Sequence, residues 1–350
     1  MAGIGGLHSK FRMNFDRTAK ALLAVIAFAA SACMSQPVAD AVAPSALVET
    51  PVAGFPHTTV YRLPGNDARP VLVILGGAEG NDEAGRHFGP VFARLGYTAV
   101  SFPYYSPNWG GYAPPPQLPE LPGSFIDLRI ERIAELRDAL KAIPGADTSR
   151  FGLFSGSKGS ELSLNAASRY NWITSVVAYT PSDLVWEGFG LEMVEHEGTR
   201  SSFSFEGKPL PFMPYRGFVD GLGNPKADLR AIHENGRADH PDREAAARIP
   251  IERYKGRLML VTGERDVQWN SARMARNIVA TRKAAGLETE ALIYPDAGHS
   301  LAGDGDLRDF DPRSGGTPEA DAAARQDAWP KVLAFLAHTL RPAGAKGRGQ

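Results

Sequence analysis

The sequence predicts an α/β protein with a mostly parallel central sheet and helices on both faces. Three observations indicate this class: short continuous apolar runs, longer segments of helical periodicity between them, and one long segment that breaks this rhythm. Unbroken apolar strands are typical of a parallel sheet that is covered on both faces. The strand candidates are residues 71–75, 98–102, 150–154, 173–179, 257–263 and 289–294.

A helix with one buried face is predicted over residues 126–143. Apolar residues recur there at steps of three and four, which is the spacing of neighbouring positions on one side of a helix. Pro144 and Gly145 follow directly and predict its end. The apolar positions are Ile126, Ile130, Ile133, Leu136, Leu140 and Ile143.

Residues 181–250 interrupt the alternation of strands and helices with prolines, glycines and scattered aromatic residues. Because ligands bind at the carboxyl edge of open α/β sheets, we interpret this segment as an insertion over that edge. An ordinary long connection without a role in the site is the alternative.

The first 33 residues have the pattern of an export signal. Arg12, Arg17 and Lys20 precede an apolar run at 21–30, and small residues then lead to Cys33. Positive charge, a short apolar run and small residues are the parts of a secretory signal. Small residues directly before a cysteine also resemble a bacterial lipoprotein signal. The pattern predicts a protein exported to the bacterial periplasm or anchored to a membrane through a lipidated Cys33, with an uncleaved N-terminal anchor as the alternative.

The rest of the chain is predicted to contain a tether, one domain and a tail. Residues 34–56 are rich in Ala, Pro, Val and Ser without periodicity, which favours a flexible tether. Residues 57–341 are predicted to form a single domain, and the basic, Gly-rich residues 342–350 a disordered tail.

Charge and cysteine content exclude several classes of partner. The 38 Lys and Arg residues nearly balance the 39 Asp and Glu residues, so nothing in the composition favours nucleic acid. Cys33 is the only cysteine, which excludes a disulfide framework or a thiolate metal site within the chain. A small molecule is therefore the expected partner.

The segment RFGLFSGSKGSE at residues 150–161 contains the central chemical motif. An apolar strand leads into a tight turn and then into a helix, and a nucleophile on such a turn needs small residues two positions away on each side. Ser155 and Gly159 meet this need around Ser157, which we predict to be the nucleophile. Ser155 is the alternative nucleophile, and an anion-binding helix start is the alternative interpretation of the motif.

An acid and a histidine each follow a later predicted strand: Asp266 and His299. The chain order Ser, Asp, His is that of the α/β-hydrolases, and the carboxyl ends of parallel strands meet at one edge. We therefore predict the α/β-hydrolase fold, with His299 as the base that takes the proton of Ser157 and Asp266 orienting that base. Glu264 and Asp296 are alternative acids.

Acyl transfer also needs N–H donors for the negative oxygen of the transition state. The backbone N–H of Lys158, directly after the nucleophile, is one predicted donor. Ala78, in the glycine-rich loop at residues 76–80, is predicted to supply the other.

The remaining polar candidates are interpreted as ordinary surface or packing residues. His196, His233 and His240 lack the spacing of a zinc motif and are expected at the surface. The side chain of Lys158 is expected to be exposed, and Trp269 to pack in the core. No metal or organic cofactor is predicted.

Five blocks of sequence together resemble a known family, the acyl-CoA thioesterases and bile acid-CoA:amino acid N-acyltransferases. The resemblance is to their C-terminal catalytic domain, a dienelactone-hydrolase-like α/β-hydrolase, and extends from about Val60 to Leu340. It implies the same triad of Ser157, Asp266 and His299, and an oxyanion loop at residues 76–78. The blocks are GLFSGSKGSELSLNAAS, EGKPLPFMPY, VTGERDVQWNS, YPDAGHS and QDAWPKVLAFLAHTL.

The motifs and the resemblance predict a serine hydrolase that cleaves an acyl ester or thioester through an acyl-serine intermediate, similar to acyl-CoA thioesterases. In the family, a serine nucleophile implies hydrolysis, and a cysteine implies transfer to an amino acid. Acyl transfer to an amine or alcohol is one alternative, and a non-catalytic binding protein with the hydrolase fold is another. Export would separate the protein from cytosolic acyl-CoA, which bears on the choice between thioester and ester.

Overall fold

The predicted apolar runs form the centre of an eight-stranded sheet in the computed structural model, which describes residues 46–106, 118–190, 198–218, 228–304 and 312–340. The spatial order of its strands is β1-β2-β4-β3-β6-β7-β10-β11, and β5, β8 and β9 form a smaller sheet. The bounds are β1 Val48–Val52, β2 Phe55–Arg62, β3 Arg69–Leu75, β4 Thr98–Ser101, β5 Leu128–Arg129, β6 Ala146–Gly156, β7 Ile173–Tyr179, β8 Phe203–Phe205, β9 Lys208–Pro209, β10 Arg257–Gly263 and β11 Glu290–Tyr294.

Six neighbouring strands of the large sheet, from β4 to β11 in spatial order, are parallel. The strands β1 and β2 pair antiparallel with each other, and β2 is also antiparallel to β4. The α/β class with a mostly parallel sheet is therefore confirmed, with an antiparallel edge of two strands.

The start of the folded region is earlier than predicted. Residues 46–56 were assigned to the tether, but β1 lies among them and pairs with β2 from Val48↔Arg62 onward. The alternation of Val48, Thr50 and Val52 with more exposed residues gives this segment one face that packs, which suits an edge strand.

Helices cover both faces of the sheet. Residues along β3 alternate between two apolar clusters, with Val71 and Val73 in one and Leu72 and Ile74 in the other, as the two-residue period of a strand requires. Helices α2, α3 and α6 contribute to the first cluster, and α1 and α7 to the second. The helices are α1 Glu83–Arg94, α2 Arg132–Leu140, α3 Lys158–Ala167, α4 Leu229–Asp239, α5 Pro241–Ala247, α6 Ser271–Ala284 and α7 Pro318–Leu340.

The helix predicted over residues 126–143 is shorter in the structure, where α2 begins at Arg132. Asp127 has a φ of 49°, a left-handed conformation that cannot continue a helix. The next residues form β5, and the N–H of Leu128 donates to the carbonyl of Ser202 at 2.9 Å. Pairing with the insertion thus replaces the first helical turn.

The segment 181–250 contains the short strands β8 and β9 and the helices α4 and α5. In the C-terminal half of this segment, Leu229 of α4 lines the cavity described below. The segment therefore contributes at least one residue to the wall above the sheet edge.

Several predictions lie outside the described residues: the export signal at 1–33 with Cys33, the tail at 342–350, and His196. Within the described part of the chain, no helix combines the length and the apolar content that a membrane span needs.

Candidate active site

Ser157 occupies the tight turn between β6 and α3. Its φ of 53° and ψ of −124° are unusual for a residue with a side chain. Such strained backbone conformations cost on the order of 1–3 kcal/mol and cluster at functional sites. The N–H of Ser157 donates to the carbonyl of Tyr179 at 3.0 Å, which ties the turn to the end of β7.

Glycines on both sides of the turn permit its close packing. A Cβ atom on Gly159 would collide with the carbonyl oxygens of Gly76 and Leu75, so α3 can approach the loop after β3 only with glycine there. A Cβ atom on Gly77 would lie 3.0 Å from the Cβ of Ser157. The glycine-rich loop and the predicted nucleophile are therefore direct neighbours.

His299 lies against Asp266. The Nδ1 of His299 lies 2.9 Å from Oδ2 of Asp266, and since a carboxylate accepts, Nδ1 carries the proton and donates it. Each residue follows the end of its own strand, Asp266 after β10 and His299 after β11. The loop of His299 is fixed by its own N–H, which donates to the carbonyl of Ser314 at 2.8 Å.

The carboxylate of Asp266 is completely buried and receives several donors. Its Oδ1 accepts the backbone N–H of Gln268 at 2.9 Å and of Trp269 at 3.3 Å, and its Oδ2 accepts the hydroxyl of Ser271. Together with the N–H of His299, these donors fix the position and orientation of the carboxylate beside the imidazole.

The alternative candidates lie elsewhere. The hydroxyl of Ser155 is buried and donates to the carbonyl of Val177 at 3.2 Å, inside the sheet. Glu264 pairs with Arg276, and Asp296 is exposed. The structure brings neither acid to the imidazole of His299. The geometry is that expected for Asp266, although the catalytic roles themselves stay predictions.

Ser157 and His299 line one cavity of about 620 Å³ at the carboxyl edge of the sheet. Ala78 of the glycine-rich loop also lines this cavity. Its wall includes charged side chains of both signs, namely Glu79, Asp321, Arg313 and Arg325. The cavity thus places the predicted nucleophile, base and oxyanion loop around one volume that a substrate can enter.

The surroundings of His299 raise the pKa of its imidazole above 6.5. Burial by itself lowers this pKa, but the charge of Asp266 and its hydrogen bond act in the opposite direction. Glu79 and Asp321 add further negative charge nearby. The net effect is an imidazole that binds a proton more readily than a free histidine, as a general base must.

The two predicted oxyanion donors have free N–H groups. Among the described residues, neither Lys158 nor Ala78 has a hydrogen-bond acceptor for its backbone N–H. The N–H of Gly77, in contrast, donates to Oε1 of Glu79 at 2.7 Å. Ala78 and Lys158 therefore remain available to an oxygen atom in the cavity.

The side chain of Lys158 is buried, not exposed as expected, with 3% of the residue accessible. Its Nζ donates to Oε2 of Glu161 at 2.6 Å and to Oγ of Ser202 at 2.8 Å. Three phenylalanine rings surround the ammonium group: Phe125, Phe189 and Phe203. The acid one turn along α3 and the three rings, two of which belong to the insertion, offset part of the cost of burying this charge.

His233, expected at the surface, is also buried, with 7% of the residue accessible. It lies on α4 among the rings of Trp186, Tyr215 and Trp269. The apolar positions of α4 could not indicate this, because the aromatic residues that cover His233 come from other elements. Trp269 is buried at 3% accessibility, as expected for a packing residue.

Three residues near the site were not singled out by the sequence. Glu79 lies in the glycine-rich loop and faces the cavity, Ser271 binds Asp266, and Tyr104 contacts the loop carbonyls. Their position just beyond strand ends, or at the start of α6, is the one signal that could have indicated them. Within the described residues, no group of three or more His, Cys, Asp or Glu side chains is arranged to hold a metal ion.

The fold and the site define an α/β-hydrolase. A structure titled as a putative dienelactone hydrolase from Klebsiella pneumoniae matches 80% of this chain and 92% of its own, with a TM-score of 0.51 and 14% identity. An acylaminoacyl peptidase from Pyrococcus horikoshii matches 83% of this chain and 40% of its own, with a TM-score of 0.50 and 15% identity. These matches concern the fold alone.

The family follows from the sequence comparisons. Residues 131–303 match the model of the family described as BAAT / Acyl-CoA thioester hydrolase C terminal. Acyl-coenzyme A thioesterase 5 of Mus musculus is 25% identical over 318 residues, which are 84% of this chain and 66% of the relative. Acyl-coenzyme A thioesterase 1 of Rattus norvegicus is 27% identical over 273 residues, 74% of this chain and 57% of the relative.

The resemblance predicted from the sequence blocks is therefore confirmed, with residues 131–303 matching the C-terminal domain of the thioesterase and acyltransferase family. The chain spans less than two thirds of the length of these two relatives.

Proposed function

We propose that the protein is a serine hydrolase that cleaves acyl esters or thioesters through an acyl-serine intermediate. One observation carries this proposal: Ser157 on its strained turn shares a cavity with His299, and Asp266 holds the imidazole by its Nδ1–H at 2.9 Å. The bond at Nδ1 leaves Nε2 as the nitrogen that can accept a proton from a serine hydroxyl. The family match supports a hydrolase with acyl substrates.

In the first half of the proposed reaction, Oγ of Ser157 attacks the carbonyl carbon of the substrate while Nε2 of His299 takes the hydroxyl proton. The carbonyl oxygen becomes negative and receives the N–H groups of Ala78 and Lys158. When the tetrahedral intermediate collapses, the bond to the leaving group breaks. His299 returns its proton to that alcohol or thiol, and the acyl group remains on Ser157.

In the second half, a water molecule attacks the acyl-serine. His299 takes a proton from the water and passes it to the departing Oγ of Ser157, which releases the carboxylic acid. Asp266 stabilises the imidazolium in both halves, and its four hydrogen-bond donors hold the carboxylate in place.

For the substrate, we propose two candidates. The first is an acyl thioester of the acyl-CoA type, because the relatives named above are acyl-coenzyme A thioesterases. The second is an acyl ester, because export would separate the protein from cytosolic acyl-CoA. Hydrolysis of a series of acyl-CoA thioesters should be compared with that of p-nitrophenyl esters of the same acyl groups. Turnover of esters with no turnover of any thioester would replace the thioesterase proposal by a carboxylesterase. Formation of an acylated amine in the presence of glycine or taurine would indicate acyl transfer instead.

The nucleophile is tested by Ser157→Ala. A fluorophosphonate probe reacts with activated serines, so the variant should lose all labelling and its turnover should fall by a factor on the order of 10⁴ or more. Ser155→Ala is the matched control, because it removes a serine hydroxyl two residues away that bonds inside the sheet. Undiminished labelling of Ser157→Ala, with loss of labelling in Ser155→Ala, would transfer the role to Ser155.

We also propose that the protein is exported, on the basis of the basic residues, the apolar run and the small residues before Cys33. Mass spectrometry of the mature N-terminus after expression in a bacterium tests this. A chain that begins at an acylated Cys33 would identify a lipoprotein, cleavage without acylation a secreted form, and an intact residue 1–33 segment would contradict processing.

A further inference from the structure

The loop that contains Ala78 is held from outside by two tyrosines. The hydroxyl of Tyr104 lies 2.9 Å from the carbonyl oxygen of Gly76 and 3.2 Å from that of Gly77, and these two acceptors share its single proton. The hydroxyl of Tyr105 donates to the carbonyl oxygen of Ala78. Three consecutive carbonyl groups of the loop are thus bound by side chains from the segment after β4.

The bond to Gly77 has a direct consequence for Ala78. The carbonyl of Gly77 and the N–H of Ala78 belong to the same planar peptide group and point in opposite directions. When Tyr104, together with a longer contact from the N–H of Gly80 at 3.4 Å, fixes the direction of the carbonyl, the direction of the N–H is fixed too. Rotation of this peptide group would break the contact with Tyr104.

The preceding peptide group cannot supply the N–H donor in place of Ala78. The N–H of Gly77 is already bound to the carboxylate of Glu79 at 2.7 Å. A Cβ atom on Gly77 would lie only 3.0 Å from the Cβ of Ser157, so the loop lies against the predicted nucleophile, and the N–H of Ala78 is a free donor in this loop. Its orientation therefore matters for an oxygen that develops charge beside Ser157.

The tyrosine rings are themselves firmly placed. Tyr104 and Tyr105 are buried and pack on Phe125 with ring centroids 5.8 and 4.7 Å apart. The N–H of Asn81 also donates to the carbonyl of Tyr105, which fixes the end of the loop to the same segment. Burial raises the pKa of both hydroxyl groups well above the usual value, so both remain donors at neutral pH.

We propose that Tyr104 is a positioning residue of the oxyanion site, whose hydroxyl holds the Gly77–Ala78 peptide group so that the N–H of Ala78 points at the developing negative oxygen. Tyr105 supports the same donor from the next peptide group, through the carbonyl of Ala78. The proposal rests on the proposed serine-hydrolase function. It also assigns a role to two adjacent tyrosines beyond the strand end that the proposed chemical steps do not use.

The test is Tyr104→Phe, which removes the hydroxyl and keeps the ring. With p-nitrophenyl butyrate, kcat should fall about 10- to 100-fold, less than the loss of a whole oxyanion donor, while KM stays within about twofold. Affinity for butylboronic acid, which forms a tetrahedral adduct with serine, should fall by a similar factor. Tyr105→Phe, which frees the next peptide group, should show the same pattern to a smaller extent.

Tyr254→Phe is the matched control. The hydroxyl of Tyr254 also donates to a backbone carbonyl, that of Arg257 at 3.1 Å, in a buried position away from the cavity. This variant should lose a similar amount of thermal stability and keep kcat and boronic acid affinity. A purely structural role for Tyr104 would make the two variants alike in all three measurements.

Fluorophosphonate labelling separates failure of the inference from failure of the proposed function. If the unmodified protein is not labelled at Ser157, the serine-hydrolase proposal fails. If it is labelled, and Tyr104→Phe has unchanged labelling rate, kcat and boronic acid affinity, only the positioning role of Tyr104 is wrong. Should Tyr104→Phe not fold, unchanged kinetics of Tyr105→Phe would contradict the proposal by themselves.

Discussion

His299 and His233 are two largely buried imidazoles that both contact the ring of one tryptophan. The ring of Trp269 lies 6.2 Å from that of His299 and 5.7 Å from that of His233, measured between centroids. The pKa of His299 is raised above 6.5, whereas that of His233 is lowered to about 4. The same side chain in adjacent positions thus acquires opposite proton affinities.

The difference is a carboxylate in contact. Burial lowers the pKa of both residues, but His299 donates its Nδ1–H to Asp266, while His233 has the backbone carbonyl of Leu229 at 2.7 Å. A neutral carbonyl cannot compensate for desolvation of an imidazolium, and Lys158 and His299 add repulsion. Burial alone lowers the pKa of the His233 imidazole, whereas a hydrogen-bonded carboxylate raises that of the His299 imidazole despite burial.

The variant with the largest expected effect is Asp266→Asn. It leaves His299 with a neutral hydrogen-bond partner, as His233 has. The amide cannot stabilise an imidazolium and can favour the wrong tautomer, so kcat should fall by a factor on the order of 10⁴. Steady-state kinetics with p-nitrophenyl butyrate measures this. Glu264→Gln is the control, because Glu264 pairs with Arg276 and should leave kcat within about twofold. A less than tenfold loss in Asp266→Asn would contradict the proposed role.

The next largest expected effect is on the free energy of unfolding at acidic pH, and it comes from His233. Its folded-state pKa of about 4 lies below the unfolded value near 6.5, so the unfolded chain binds the extra proton between these pH values. The contribution of His233 is therefore fully present above pH 6.5 and is lost as the pH falls towards 4. The loss amounts to about 3 kcal/mol at pH 4.

Urea unfolding of the protein and of His233→Phe at pH 7 and pH 4 isolates this contribution. The phenylalanine suits the aromatic surroundings and cannot take up a proton. The difference in free energy of unfolding between the two proteins should change by about 3 kcal/mol in favour of the variant on acidification. Equal acid sensitivity of both proteins would show that His233 is not held neutral by burial.

The sequence predicted the positions of the candidate site residues better than their surroundings, and the two histidines show why. His299 directly follows a strand, and its partner Asp266 follows the neighbouring strand, so the parallel order of β10 and β11 brings them to one edge. The position of a residue relative to the end of a strand can be predicted from the sequence, because apolar runs mark the strands. The strands predicted at 173–179 and 257–263 have the same bounds in the structure.

The surroundings depend on contacts between segments that are far apart in the chain. His233 is covered by Trp186 and Tyr215, and Lys158 by rings from three separate segments, so neither burial has a local periodic signal. The hydroxyl of Tyr104 reaches carbonyls 27 and 28 residues earlier. Such tertiary contacts override what the spacing of neighbouring residues can indicate.

The smallest expected effect concerns the pH dependence of kcat/KM, namely the pH at which activity falls to half on the acidic side. His299 must be neutral to accept the serine proton, and because Asp266, Glu79 and Asp321 raise its pKa, this midpoint should lie above pH 6.5. At pH 5.5, kcat/KM should then be more than tenfold below its plateau, since a pH one unit under the pKa leaves about a tenth of the base neutral. His233→Phe should keep this midpoint, because His233 is already neutral there, whereas any residual activity of Asp266→Asn should persist to lower pH. A midpoint near pH 4 in the unmodified protein would mean that the titrating base has the environment of His233 and not that of His299.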